Sequence, residues 1–259
     1  MTNGKLRDSP AEVLPLPPFL EGDLAKITDI VQIDVAIGKQ AQSETRTLRI
    51  GLYGNAFPTL VKQFLDFTST DQGGGLVSSS PLAFDEGYGV STAPVSLTVG
   101  GLLEYIYPER KLEFGVPSQS AAFAKRKGKS KAPEDFMAQP RPKQAMTDDE
   151  DKIVVRNHDS AGLISVPRNG IGYANPNAPD DEAFSNSFGI ISAADSSLDK
   201  KSKVIGQLVD EESMESITRL VALPTRKGIT GVIPGQNSGP PLVKVSVRSV
   251  SISKDVSVS

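Results

Sequence analysis

Cysteine is absent from the 259 residues, which excludes a disulfide framework, a thiolate nucleophile and any metal site built on Cys ligands, and leaves the redox compartment open. Histidine occurs once, at His158, so a Ser-His-Asp triad would have to use that residue. No apolar run approaches the roughly 18 residues that a membrane-spanning helix needs. Residues 1–20 lack the continuous apolar centre of a signal peptide, so the expectation is a cytosolic protein or a mature form without its presequence. Charge of one sign is also missing: the net charge is -3 and the sequence pI about 5.4, which gives the molecule no overall field to draw it to nucleic acid. At 38% hydrophobic the chain supports one substantial core, and a single domain with extensions is expected.

What is present is clearest over residues 29–68. Val31, Ile33, Val35 and Ile37 alternate with Gln32, Asp34 and Ala36, and Leu48, Ile50 and Leu52 alternate with Arg49 and Gly51, the period of two of half-buried strands. Tyr53, Gly54 and Asn55 break the second strand. Pro58 then stands where the first turn of a helix tolerates it, and Phe57, Leu60, Val61, Phe64 and Phe67 fall at helical spacing. Ahead of this block, residues 1–25 carry Pro10, Pro15, Pro17 and Pro18, the composition of an extended arm. Its Leu14, Leu16, Phe19 and Leu20 could lie on the chain's own barrel or grip a neighbour, with self-packing or disorder expected and Leu16 and Phe19 as candidate partner contacts.

Beyond residue 68, the glycines of 71–80 make no phosphate cradle, because no Lys follows at the required spacing. Residues 95–113 form the next apolar region. Residues 116–152 lose periodicity and read as one long loop, carrying a basic run of Lys125, Arg126, Lys127, Lys129 and Lys131 and an acidic run at 148–151. Strand character resumes at Ile153, Val154 and Val155 and again at 161–166, then at 185–191 and 203–208. A helix over 210–221 shows Met214, Ile217, Leu220 and Val221 on one face, with Glu211 and Glu212 in its first turn. The last strand, 242–252, changes parity after Val247, which predicts a bulge near Ser249.

These elements resemble the cyclophilins, peptidyl-prolyl isomerases of the closed-barrel type. The family's F-x-D-V-x-I strand is matched by Ile33, Asp34, Val35 and Ile37, and its partner strand and helix by Leu48, Ile50, Leu52, Tyr53, Pro58, Thr59, Gln63 and Phe64. Residues 153–166 resemble the passage F-x-L-x-H-x-G-P-G-x-L-S-M, and 185–208 resemble S-Q-F-F-I-T, W-L-D and H-V-V-F-G-x-V. The resemblance, spanning about 29–252, implies an all-β, eight-stranded antiparallel closed barrel capped by helices at about 57–68 and 210–221. The domain division expected is an arm at 1–25 and a barrel at 26–259.

The family's isomerase chemistry needs an Arg at the prolyl amide, a Gln on the backbone, an apolar cup, and a Trp and a His at the rim. Registering F-H-R-x-x-P-G-F-M-x-Q-G-G on Pro108 and Gly115 puts Tyr105 at the Arg, Arg110 and Lys111 at the Phe and Met, and Glu113 at the Gln. Gly189 takes the position of the cup Phe, Ser197 that of the Trp and Ser202 that of the His, and Leu198 alone keeps the family residue. Arg110 and Lys111 in an apolar cup cannot be desolvated cheaply without partners, and Tyr105 lacks the fixed charge of Arg. The expectation is a cyclophilin-like fold with a dismantled isomerase site and no confident catalytic residue, serving as a subunit or assembly factor of a larger protein complex. A divergent active isomerase or chaperone is the alternative, and Arg110 would be its catalytic Arg if the register slipped. The basic run suggests a third role, as a tether to nucleic acid or lipid, but without interleaved aromatics it is expected to be an unbound loop or to order on a protein partner. His158 is expected to be solvated, and the acidic run 148–151 to be a solvated charge run with no calcium-loop geometry. No metal or cofactor is expected. The plastid thylakoid lumen is the compartment suggested by the resemblance to divergent plastid cyclophilins, and the partner could belong to a membrane-associated complex.

Overall fold

In the first strand, β1 (Asp29–Ile37), Val31, Ile33 and Val35 are fully buried while Gln32 and Asp34 remain half-exposed, as the alternation requires. The computed structural model describes residues 13–38, 43–69, 97–98, 101–115, 146–168, 170–171, 187–225 and 238–254. β1 pairs along its whole length with β2 (Glu44–Leu52), from Asp29 opposite Leu52 to Ile37 opposite Glu44. β3 (Leu102–Tyr107) and β4 (Lys111–Gly115) form a hairpin turned by Pro108, Glu109 and Arg110. β5 (Leu163–Pro167), β6 (Ser187–Ile191), β7 (Ser202–Leu208) and β8 (Val245–Lys254) complete an eight-stranded antiparallel barrel. The order around it is β1-β2-β7-β5-β6-β4-β3-β8, and β8 returns to β1. Closure gives every strand two neighbours and leaves no sheet edge.

The seam between β3 and β8 is the thinnest. Leu102 pairs with Ser246, and Val247 donates its amide to the Gly101 carbonyl at 2.9 Å. On its other side β8 follows β1 with one register shift: Asp34 faces Ser249 but Val35 faces Val247. Arg248 is the extra residue, the bulge expected near Ser249. Strand β8 also starts later than expected, because Leu242 and Val243 lie in bends and Leu242 is 56% exposed.

Helix α1 (Pro58–Thr68) packs Leu60, Val61, Phe64 and Phe67 into the core. Phe64 meets Phe188 edge-on, with ring centroids 4.9 Å apart, and Phe188 in turn stacks on Phe114 at 5.8 Å. Helix α3 (Glu211–Val221) buries Met214, Ile217 and Leu220 in the same core and lies along β2, where Ser213 Oγ accepts the Arg49 amide at 2.8 Å. Asp210 is its N-cap, accepting from the Ser213 amide at 2.8 Å. Among the described residues no helix is long and apolar enough to cross a membrane.

Two readings of the 146–155 region need correction. The acidic run is exposed at Asp148, Asp149 and Asp151 as expected, but it folds as a short helix, α2 (Asp148–Lys152), opened by a capping box between Thr147 and Glu150, and Glu150 is not solvated. Glu150 is buried, and its Oε1 also accepts the Thr59 amide at 2.6 Å. That amide is one of the unpaired donors at the start of α1, whose own N-cap, Phe57, offers no side-chain acceptor. One carboxylate thus caps two helices. Nor do Ile153, Val154 and Val155 form a strand. The buried Lys203 Nζ binds the Asp151 and Ile153 carbonyls at 2.5 and 2.9 Å, which turns this backbone toward a side chain instead of a ladder, and Val154 is 63% exposed.

Glu150→Ala should lower unfolding stability by about 1–4 kcal/mol, the loss of two caps at ~0.5–2 kcal/mol each. Asp148→Ala, at an exposed first-turn position, should change it by less than about 1 kcal/mol. Urea midpoints at constant slope would separate the two.

Candidate functional site

The β3–β4 hairpin places alternate residues on the outer wall of the barrel. Leu103, Ile106, Leu112 and Phe114 point into the core, which leaves Tyr105, Tyr107, Lys111 and Glu113 facing outward. Tyr105 lies opposite Glu113, and Glu113 lies opposite Gly189 on β6. Pairing therefore brings Tyr105, Lys111, Glu113 and Gly189 onto one patch. Arg110, at the hairpin turn, reaches sideways to the turn after β6, where its Nε lies 2.5 Å from Asp195 Oδ2 and its Nη2 donates to Ser197 Oγ at 3.0 Å. Leu198, next to Ser197 in a single 3-10 turn, is buried in the core. Ser202 opens β7 opposite Pro167.

The patch is polar and its charges are paired. Lys111 Nζ lies 3.6 Å from Glu113 Oε2, and Ser187 Oγ donates to Glu113 Oε1 at 2.9 Å. Tyr105 and Tyr107 stack at 4.3 Å, and Lys111 Nζ sits 5.8 Å from the Tyr107 ring centre. Gly189 leaves a gap that the Lys111 stem fills: a Cβ at 189 would be 3.1 Å from Lys111 Cδ and 3.6 Å from Ser165 Cβ.

Directly beside Gly189 is a second cluster. His158, expected to be solvated, is 2% exposed. Its Nδ1 is 2.6 Å from Asp199 Oδ1 and its Nε2 is 2.8 Å from Ser165 Oγ. Asp199 Oδ1 also accepts the His158 amide at 2.9 Å. The Asp partner is Asp199, not the adjacent Asp159, whose carboxylate instead binds Arg156. Burial holds the imidazole below its ordinary pKa of 6.5, against the opposing pull of Asp199, and Lys111 lowers it further. The neutral ring donates from Nδ1 to the carboxylate and accepts the Ser165 hydroxyl at Nε2, the hydrogen-bond order of a catalytic triad. Ser165, however, is 4% exposed on a strand that is paired on both sides, so its hydroxyl has no substrate-facing surface. The cluster ties the 158 turn and the 199 turn to β5.

Glu104 falls at the bulge in β3, where the pairing slips between Leu103 and Tyr105. Burial and the neighbouring Glu113 carboxylate push its pKa up to about 7. Among the described residues no group of three or more His, Cys, Asp or Glu side chains could hold a metal ion.

Of the candidate partner contacts, Leu16 is half-buried against the core and Phe19 is 46% exposed. Lys125, Arg126, Lys127, Lys129 and Lys131 lie outside the described residues. Sequence reasoning missed Ser165 and Asp199, although the family passage quoted above carries a His seven residues before its Ser. Glu104 had no signal, since a bulge is set by pairing. No family model matches the chain, and no curated protein matches it.

These two titrations have opposite signs. Unfolded His158 protonates near 6.5 and the folded ring only at lower pH, so its contribution is full above that value and is lost as pH falls. Folded Glu104 protonates near 7 against 4.5 unfolded, so its contribution is full below 4.5 and is lost as pH rises toward 7. Glu104→Gln should raise the melting temperature at pH 8, by roughly 2–4 °C if solvent screening leaves ~1 kcal/mol, and leave it unchanged at pH 4.5. His158→Gln should lower stability at pH 8 and flatten the acid limb of the profile. Thermal melts across pH 4–9 would read both.

Proposed function

We propose that the chain is a cyclophilin-like binding module, with its isomerase face replaced by an ion-paired surface, that acts as a subunit or assembly factor of a protein complex. The observation that carries this reading is the pairing of Arg110 with Asp195 and of Lys111 with Glu113 where the resemblance places the apolar cup and its Gln. Rotating an X-Pro bond means overcoming a barrier of about 18–20 kcal/mol. The catalyst must grip the ring in a dry pocket and stabilise an amide nitrogen that has lost conjugation. Here the ring would meet charged side chains where the resemblance places apolar ones, and drying Arg110 and Lys111 to form a pocket carries a desolvation cost that an apolar cup does not. Tyr105 supplies a hydroxyl in place of a guanidinium. The residues that match the family are those of the frame: the opening hairpin, α1, Leu198, and the His158, Ser165 and Asp199 cluster.

A rigid barrel whose outer wall carries fixed, alternating charges is suited to orienting a protein partner, since complementary charge patterns set register and specificity. Nucleic acid is not the expected ligand, given the acidic chain. The resemblance to divergent plastid cyclophilins directs the search for that complex to the thylakoid lumen, where cofractionation of the native protein with a larger assembly tests the placement.

The decisive assay is protease-coupled isomerisation of a short X-Pro peptide by protein with a cooperative melt. The expected rate is that of the uncatalysed reaction. Acceleration lost on Arg110→Ala but kept on Tyr105→Phe would overturn the proposal and identify a divergent active isomerase that uses Arg110.

A further inference from the structure

Residues 13–20 lie on the barrel as an extended, proline-rich arm, and the contacts that hold it come from the barrel side. Pro17 is buried, with its ring against Gly162. A Cβ at Gly162 would stand 3.0 Å from Pro17 Cδ and 2.8 Å from Met214 Sδ, so the close approach needs glycine there. Proline has no amide hydrogen, so the backbone of consecutive prolines can be read only through its carbonyls. Both are read. Pro17 O accepts from Gln207 Nε2 at 3.2 Å, and Pro18 O accepts from Arg156 Nη1 at 2.9 Å. Leu14, which does have an amide, donates it to Thr218 Oγ1 at 3.2 Å. Leu14 and Leu16 pack against the core, while Val13, Phe19 and Leu20 stay exposed.

The two donors are aimed by bonds that the arm does not make. Gln207 is fully buried, and its Oε1 accepts from Tyr53 OH at 2.6 Å. Arg156, its side chain 7% exposed, donates to Asp159 and Ser160, each at 3.1 Å. With the arm lifted away, these donors keep their direction, Arg156 also being held by Gln207 Oε1 at 3.4 Å, and they form a preorganised receptor for a chain of carbonyls. Gly22, at φ +111 with nothing within 4 Å of its Cβ position, gives the chain an unhindered pivot between arm and barrel.

The geometry points to a peptide-recognition groove, formed by Arg156, Gly162, Gln207, Met214 and Thr218, that takes an extended Leu-x-Leu-Pro-Pro segment. The chain's own arm occupies it in cis, and a proline-rich segment of a partner protein enters by displacing that arm. The groove is separate from the Lys111 and Glu113 patch, and it stands whichever way the isomerase assay falls.

The test uses the full chain and a fluorescein-labelled peptide of residues 13–20, followed by fluorescence anisotropy. In the wild type the tethered arm competes at an effective concentration in the mM range, so binding is weak. A full-length Leu16→Ser, Pro17→Ser variant, its own arm weakened, should bind the probe at least ~10-fold tighter. Adding Thr218→Val, which removes the acceptor for the Leu14 amide together with a donor to the Met214 carbonyl inside the helix, should weaken binding by roughly 2–10-fold. A probe with alanine at both Pro17 and Pro18 should lose most of its affinity. A folded arm variant that binds the probe no better than wild type, or that does not distinguish the alanine probe, overturns the proposal. Should the arm variant fail to fold, hydrogen exchange at the Leu14 amide of the wild type decides it. Exchange accelerated by excess unlabelled peptide supports displacement, and unchanged exchange overturns it.

Discussion

The double pairing of β1 is the constraint on which the rest depends. Each of its residues from Asp29 to Ile37 has a partner on β2 and another on β8, so this one strand joins the two ends of the barrel. Backbone groups inside a protein must be paired, and a barrel meets that requirement without edges only if its first and last strands meet. The Arg248 bulge is the local adjustment that lets β8 keep pace with β1. Because Val31, Ile33 and Val35 face inward from this strand, the closure that pairs the backbone also gathers the core around which α1 and α3 pack.

Around that barrel several of the described connecting segments are fastened by buried polar side chains as well as by apolar contact. Glu150 binds two helix starts, Lys203 holds the Asp151 and Ile153 carbonyls, and His158 joins Asp199 to Ser165. Arg156 and Gln207 hold the arm in the same way. A hydrogen bond of this kind adds little net free energy when made, yet leaving its buried partner unpaired costs much more, so such contacts specify one loop path over others. Gly162 makes the same point sterically, since its positive φ and the closeness of Pro17 and Met214 leave no room for a side chain.

The outer patch and the arm groove suit different chemistries. Charges at Arg110, Lys111, Asp195 and Glu113 are mutually satisfied, which favours recognition of a shaped, polar protein surface over extraction of an apolar ring from water. The groove reads backbone carbonyls with pre-aimed donors and needs no charge on its ligand. Both proposed faces for protein contact thus lie on one small barrel.

Much of this was legible in local pattern. Alternation in 31–37 and 48–52, the helical spacing of Phe57 to Phe67 and the parity change after Val247 each report which side of an element meets the core, a property of a few neighbouring residues. Those signals, with the family-like motifs, determined the barrel and both long helices. They failed where a residue's environment comes from far along the chain. His158 looked like a solvated turn residue until Asp199 and Ser165 closed around it, and Glu150 looked like one more solvated carboxylate of its run until it met the start of α1. The apolar run at Ile153 read as a strand until Lys203 took its carbonyls. Periodicity records burial of a face, but hydrogen bonds between residues some 40 to 190 positions apart are decided only by how the barrel closes, and these placed the buried polar network and the arm.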